Sequence, residues 1–302
     1  MVCKDESLES GTPSLRTFGY ATLKAATDDF SSENKLGEGG FGPVYKVKYV
    51  RPFLSEETFE TSNPGLEEFK NEVMLTASLQ HVNLVRLIGF CTNGEEKMLI
   101  YEYMPNKSLD FYLYAMLDDE MNPKISDFGL VRIFKKDDIE ANTSRIVGTY
   151  GYVPPEYVRK GIYSMKYDVY SFGVLLLQIV SGRRTSCYYG LNENLNLLDY
   201  AYEQWKDDIC VEFIDPSLDD SSSSCKLLRC MQVALLCVQE KPGDRPSMLE
   251  VYSMLENESS AVNFPKKPAF SITEDEDEDG KCLLKEAIHS VNDASISELF
   301  PR

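Results

Sequence analysis

Apolar residues recur at spacings of three and four from Thr22 to Phe30 (Leu23, Ala26, Phe30), which predicts a short amphipathic helix. Leu36 to Val50 mixes glycines with β-branched and aromatic residues and predicts a hairpin. After Gly65, the residues Leu66, Phe69, Val73 and Ala77 form one stripe. Glu67 and Glu68 put negative charge at the positive end of the helix that this stripe predicts. Leu84 to Phe90 and Met98 to Tyr103 are short apolar or aromatic runs and predict strands. Beyond Ile125 the pattern turns helical. Asp168 to Val180 is apolar nearly all round and stops at Ser181-Gly182, as a buried helix with a glycine end does. Leu227 to Val238 and Met248 to Leu255, the latter after Pro246, predict two further helices. The longest apolar runs, Phe111 to Leu117 and Val233 to Val238, are bounded by polar residues. They predict core segments, because a membrane span needs about 18–20 apolar residues. Strands come first and helices after, so the expected class is α+β, with a small sheet-rich lobe and a larger helical one.

The composition agrees with a folded chain. Of the 302 residues 43% are hydrophobic and 26% charged, enough for one large domain or two ordinary ones. Lys and Arg number 31 against 49 Asp and Glu, a net charge of −18. That balance excludes a nucleic-acid binder, which needs a basic face, and disfavours an anionic membrane surface. Part of the excess is local: Glu274 to Asp279 is an unbroken acidic run in a low-complexity tail, residues 261–302. Residues 1–16, with Ser, Gly and Pro and no periodicity, are expected to be a linker, and 17–34 a short helical preface. The N-terminus lacks the apolar core of a signal peptide, and Val2 stands where myristoylation needs glycine; nothing specific marks Cys3 for palmitoylation. Eight cysteines without a C-x-x-C pair, and two histidines, give no zinc pattern. Cys230 and Cys237, two helical turns apart in an apolar stretch, suit buried free thiols. The expected location is cytoplasmic, with no direct membrane insertion.

Chemistry enters at Gly37-Glu38-Gly39-Gly40-Phe41-Gly42-Pro43-Val44, which fits G-x-G-x-x-G-x-V. Glycines there let backbone N–H groups approach a polyphosphate closely, although glycine turns are common and the motif alone is weak. Asp127-Phe128-Gly129 places a carboxylate on a turn, where it can hold Mg²⁺ against phosphate oxygens. Pro154-Pro155-Glu156 follows after about thirty residues, the length of an activation segment.

With these motifs in this order, the chain resembles a protein kinase. KLGEGGFGPVYK (35–46), YEYMPNKSL (101–109), NPKISDFGL (122–130), GTYGYVPPEY (148–157) and DVYSFGVL (168–175) resemble the cytoplasmic domain of plant receptor-like Ser/Thr kinases. The S-domain (G-type lectin) group is most similar, and the cysteine-rich group next. The resemblance covers roughly residues 17 to 300 and implies a bilobal kinase fold, with residues 35–104 as N-lobe and hinge and 105–260 as a truncated C-lobe. It also implies ATP and Mg²⁺ as cofactors. Leu36 and Val44 would wall the adenine, and Gly37, Gly39, Gly40 and Gly42 would cover the phosphates. Tyr101 would be the gatekeeper, and the backbones of Glu102 and Met104 would meet the adenine edge. Asp127 would hold the metal, and Glu72 would pair with a phosphate-binding lysine. Thr143, Ser144 and Thr149 would lie in the activation segment. Glu156 and Arg245 would brace the helical lobe, and Asp168 would hydrogen-bond the catalytic loop from a buried helix.

Two interruptions break the resemblance. The strand ending Val-Ala-Val-Lys is absent between Val44 and Gly65; either Lys48 stands in for its lysine, or Lys46 and Lys48 are ordinary solvated strand lysines. From Tyr114 the chain reaches Asp127 too soon for a long helix and a His-Arg-Asp…Asn loop, since such a helix alone takes roughly twenty residues. The only histidines are His81, before Val82-Asn83, and His289, before Ser290-Val291. The expectation is therefore a kinase-lineage chain without a catalytic loop, with protein partners that include related kinases. A non-catalytic interaction module and an unstable truncated product are the alternatives.

Overall fold

The structure is a computed structural model. It describes residues 2–3, 15–39, 42–47, 69, 73–76, 79, 81–94, 96–105, 116–117, 120–126, 128, 131, 139–144, 146–149, 151–185, 187–190, 195–218, 224–257 and 261–270. The chain divides into two compact units, Met1–Ile133 and Phe134–Asn292. The first is strand-rich and the second helical, the α+β division expected from the sequence.

The first unit is a six-stranded sheet in the order β2-β5-β6-β1-β4-β3, built from β1 (Val2–Cys3), β2 (Arg16–Thr17), β3 (Lys35–Gly39), β4 (Gly42–Val47), β5 (Leu87–Asn93) and β6 (Glu96–Glu102). Two antiparallel hairpins, β3–β4 and β5–β6, match the predicted hairpin and strands. Two short strands were not predicted: β2, at the junction of the expected linker and helical preface, pairs with Gly89–Phe90, and β1, inside the expected linker, lies between β4 and β6, parallel to both. A two-residue strand carries no periodicity, so the sequence gives no warning of either.

Helix α1 (Tyr20–Ala26) covers one face of the sheet, where Phe18, Leu23, Val47, Cys91 and Ile100 form a core. Burying each large side chain is worth about 1.5–3 kcal/mol. The helix stops sooner than its apolar stripe predicts. The fully buried Thr27 donates its hydroxyl to Leu23 O (2.8 Å) and accepts from the Phe30 N–H (3.1 Å). Asp28, Asp29 and Phe30 then follow in left-handed backbone, with φ of +55°, +56° and +52°. Aspartate tolerates that region better than most residues. Phe30 still reaches the sheet, its ring 5.5 Å from that of Tyr45. On the predicted stripe, Phe69 and Val73 pack with Leu87 and Phe90, while Leu66 and Ala77 lie outside the described residues.

The described residues between 105 and 131 fall in the first unit. β7 (Met116–Leu117) pairs with β8 (Pro123–Lys124). Ile125 then bonds into the sheet-side loop: its N–H donates to Asn83 O (2.8 Å), and Val85 N–H donates to Ile125 O (2.9 Å).

The second unit is built around α3 (Met165–Ser181), the predicted buried helix, which ends at Gly182 with φ +64°. Ser164 caps its start by accepting from the Lys166 N–H. α5 (Ser224–Cys237) lies across it, and Val233 to Val238 are all buried, as their apolar run predicts. The crossing is tight: a Cβ on Gly173 would stand 2.5 Å from the Cys237 Cβ, so only glycine fits. Cys237 is fully enclosed, and burial pushes its thiol up to about 12. α2 (Pro155–Lys160) and α4 (Leu197–Lys206) were not predicted, the first too short for a stripe and the second mixing aromatic and polar positions. α6 (Met248–Glu256) follows a capping box between Ser247 and Glu250.

Arg245 ties these pieces together. Only 2% exposed, it grips Glu156 through two bonds, Nη1 to Oε1 at 2.6 Å and Nη2 to Oε2 at 2.9 Å. Its Nε donates to Gln239 O (2.7 Å), its Nη2 also to Glu240 O (2.9 Å), and its guanidinium lies 5.0 Å from the Tyr170 ring centroid. Arg245→Leu leaves the Glu156 carboxylate half-enclosed and unpaired, and is expected to destabilise this unit by about 3–5 kcal/mol in urea unfolding. The double change Glu156→Leu with Arg245→Leu should recover a large part of that loss.

Candidate functional site

The glycine motif forms the tip of the β3–β4 hairpin. Gly37 stands opposite Val44, Glu38 opposite Pro43, and Gly39 opposite Gly42, with Gly40 and Phe41 between them in the chain. A Cβ at Gly37 or at Gly42 would meet no heavy atom within 4 Å, so backbone on this hairpin borders open space. Leu36 and Val44 remain 48% and 36% exposed, two apolar side chains that nothing in the described fold covers. The hairpin is braced at its edge by Lys35, whose Nζ lies 2.6 Å from Glu38 Oε2; that hydrogen bond raises the lysine pKa. Lys46, half-buried on β4, holds its ammonium 4.6 Å from the Tyr103 ring centroid, so it is not a freely solvated strand lysine.

β6 carries the second part of the predicted site. It passes through the fully buried Ile100 to Tyr101 and Glu102, and Met104 follows, 8% exposed. The Glu102 N–H is committed to Arg86 O (3.0 Å). Glu102 Oε1 accepts from the Arg86 N–H (2.8 Å) and from Lys124 Nζ (3.1 Å), with the ion pair only 15% and 18% exposed. One carboxylate therefore fastens the start of β5 and the β7–β8 hairpin to the strand that leads into Met104. This role was invisible in the sequence, because a Glu and a Lys 22 residues apart leave no local pattern. The hairpin residues and Glu102 lie in one sheet, with β1 between their strands, and Met104 follows two residues after the end of β6. Gly40, Lys48, Glu72 and Asp127 lie outside the described residues; Phe128, next to Asp127, is buried.

In the second unit, β9 (Glu140–Asn142) pairs antiparallel with β10 (Ile162–Ser164), and the Thr143 N–H donates to Gly161 O (2.9 Å). Thr143 is half-buried, whereas Ser144 and Thr149 are exposed. Tyr157 OH accepts from the Val147 N–H (3.2 Å), which ties the segment before Thr149 to α2. Asp168, expected to be enclosed, keeps solvent access in the first turn of α3. Surrounding protein nevertheless raises its carboxyl pKa by desolvation, against the pull of the helix dipole, and among the described residues nothing donates a hydrogen bond to it.

The protein kinase domain family matches residues 114–255, and the protein tyrosine and serine/threonine kinase family matches 30–117. Cysteine-rich receptor-like protein kinase 34 of Arabidopsis thaliana is 40% identical over 94% of this chain and 50% of its own length. The G-type lectin S-receptor-like serine/threonine-protein kinase CES101 of the same plant is 44% identical over 87% of this chain and 37% of its own. The chain thus spans half or less of these curated relatives. Among the described residues no helix is long and apolar enough to cross a membrane.

Because the folded state holds the Asp168 proton more tightly than the unfolded chain, stability falls as pH rises from the ordinary value of 3.8 through the raised one. Asp168→Asn should therefore raise the unfolding midpoint at pH 7, by roughly one to two degrees once solvent screening is allowed for. The gain should shrink as pH is lowered toward the ordinary carboxyl range, as followed by circular dichroism melts.

Proposed function

The chain belongs to the receptor-like serine/threonine protein kinase family, and on that premise we propose that it is a pseudokinase, binding MgATP without transferring phosphate and acting through protein partners, related kinases among them. The glycine hairpin supports nucleotide binding: open space beside Gly37 and Gly42 and the uncovered Leu36 and Val44 suit a purine nucleotide. Gly37, Gly39, Gly40 and Gly42 would lie along the phosphates, Leu36 and Val44 beside the adenine, and the backbones of Glu102 and Met104 at its edge. Asp127 would hold the metal, which neutralises phosphate charge when bound. Glu72 lacks the lysine of a Val-Ala-Val-Lys strand, and Lys46 is already engaged with Tyr103. Lys48, which follows β4 in the sequence, would be its substitute, so binding should be weak.

The observation that carries the non-catalytic reading is the sequence between Leu109 and Asp127, which contains no His-Arg-Asp; neither histidine of the chain is followed by Arg-Asp. Two further facts support it. The two kinase matches meet at residues 114–117, inside that stretch. The alignment to the cysteine-rich relative runs over 337 positions, more than the 302 residues of this chain, so the relative carries residues without a counterpart here. A positioned base is worth about 10²–10⁴-fold in rate, and the Asn of the same His-Arg-Asp…Asn loop goes with it. The unpartnered Asp168 fits the same loss. The helical unit keeps its core and its buried ion pair, which leaves a folded surface for partners.

MgATP should raise the melting temperature of the purified chain, and Gly37→Asp should abolish the rise without unfolding the hairpin, since the new side chain enters open space and meets phosphate charge. A flat response in the folded wild type would overturn nucleotide binding. Labelled ATP should leave no phosphate on the chain or on a generic protein substrate; incorporation that disappears in Asp127→Ala would overturn the non-catalytic reading.

A further inference from the structure

The two hairpins of the first unit are joined in the sheet by β1 alone among the described residues. Val2 pairs with Lys46 on one side and Tyr101 on the other, and Cys3 with Val47 and Glu102. β1 is parallel to both neighbours, so it cannot be a tight-turn extension of either hairpin and has to arrive from a distant part of the chain. Its hold is short. β4 has six residues and β6 seven, and β1 covers only two positions of each. Residues 4–15, which include Gly11, Pro13 and three serines, separate it from β2 on the far edge. Without β1, two hairpin edges would face each other with their N–H and C=O groups unpaired, an arrangement that readily accepts an added strand.

We propose that the gap between β4 and β6 is a strand-acceptor slot and that Val2–Cys3 is its donor strand, held by backbone pairing and replaceable by the same segment supplied in trans. The pairs fall on the last residues of the glycine hairpin and on the residues that lead into Met104. The donor strand therefore sets the spacing between the two halves of the candidate site, whether or not the chain binds nucleotide.

Hydrogen exchange followed by mass spectrometry tests this on the full chain, on a chain lacking residues 1–4, and on that chain with a peptide of the sequence MVCKDES. The amides of Val47 and Tyr101 should exchange about tenfold faster or more after truncation, while the Glu102 amide stays protected by Arg86. The peptide should restore protection, and a peptide with proline at both Val2 and Cys3 positions, which lacks the ladder N–H groups, should not. Unchanged protection after truncation, or a loss the peptide cannot repair, would overturn the proposal. Should the truncated chain fail to fold, Cys3→Pro in the full chain gives the same comparison. In the unaltered chain, exchange at Val47 and Tyr101 as fast as at an open strand edge would also overturn it.

Discussion

Arg245 brings a permanent charge into the interior of the helical unit, and such a charge is tolerated only when every donor has somewhere to point. Its five N–H groups dictate where other segments can lie. The Glu156 carboxylate must face it squarely, which fixes α2; the carbonyls of Gln239 and Glu240 must turn inward, which fixes the loop after α5; and the Tyr170 ring beneath it fixes the rotation of α3. Lys166 closes the circuit by donating to the Arg245 carbonyl. With those three segments pinned, α5 can approach α3 closely enough for Gly173 and Cys237 to touch. The hydrophobic core then supplies most of the stability, but the ion pair decides which of many compact arrangements is adopted.

The sheet unit follows a different logic. Its candidate site is made by what is missing: side chains at Gly37 and Gly42, cover over Leu36 and Val44. Such a surface has to be held by neighbours that are themselves well packed. Val47 anchors β4 in the core beneath α1, and the Glu102 carboxylate anchors β6 to Arg86 and Lys124. Both anchors sit at the ends of the strands that β1 joins, so an open surface is bordered by firmly bonded backbone on both sides.

Much of this was legible in the sequence because it rests on local pattern. The period of α3, its glycine stop, the apolar run of α5 and the glycine hairpin all repeat a short-range rule, and family motifs added Glu156 and Arg245. What escaped notice depends on distance along the chain. The partners of Glu102 lie 16 and 22 residues away, β1 pairs with strands about 44 and 99 residues on, and neither leaves a periodic trace. The early end of α1 escaped for another reason. Its apolar stripe continues through Phe30, while the backbone is redirected by the Thr27 hydroxyl, and periodicity is blind to such a competition. Asp168 was expected inside a buried helix, yet position on the helix, not the helix as a whole, decides exposure.

The burial of Cys237 gives the chain an internal gauge of its own integrity. A thiol pushed up to about 12 has almost no thiolate at neutral pH, so alkylating reagents and oxidants pass it by, whereas Cys187 and Cys225 lie exposed. Cys237 can be labelled only when α3 and α5 part at Gly173. The rate at which label reaches that one sulfur is then a clock for the opening of the helical core, readable in a crude mixture by mass and needing neither a substrate nor a known partner.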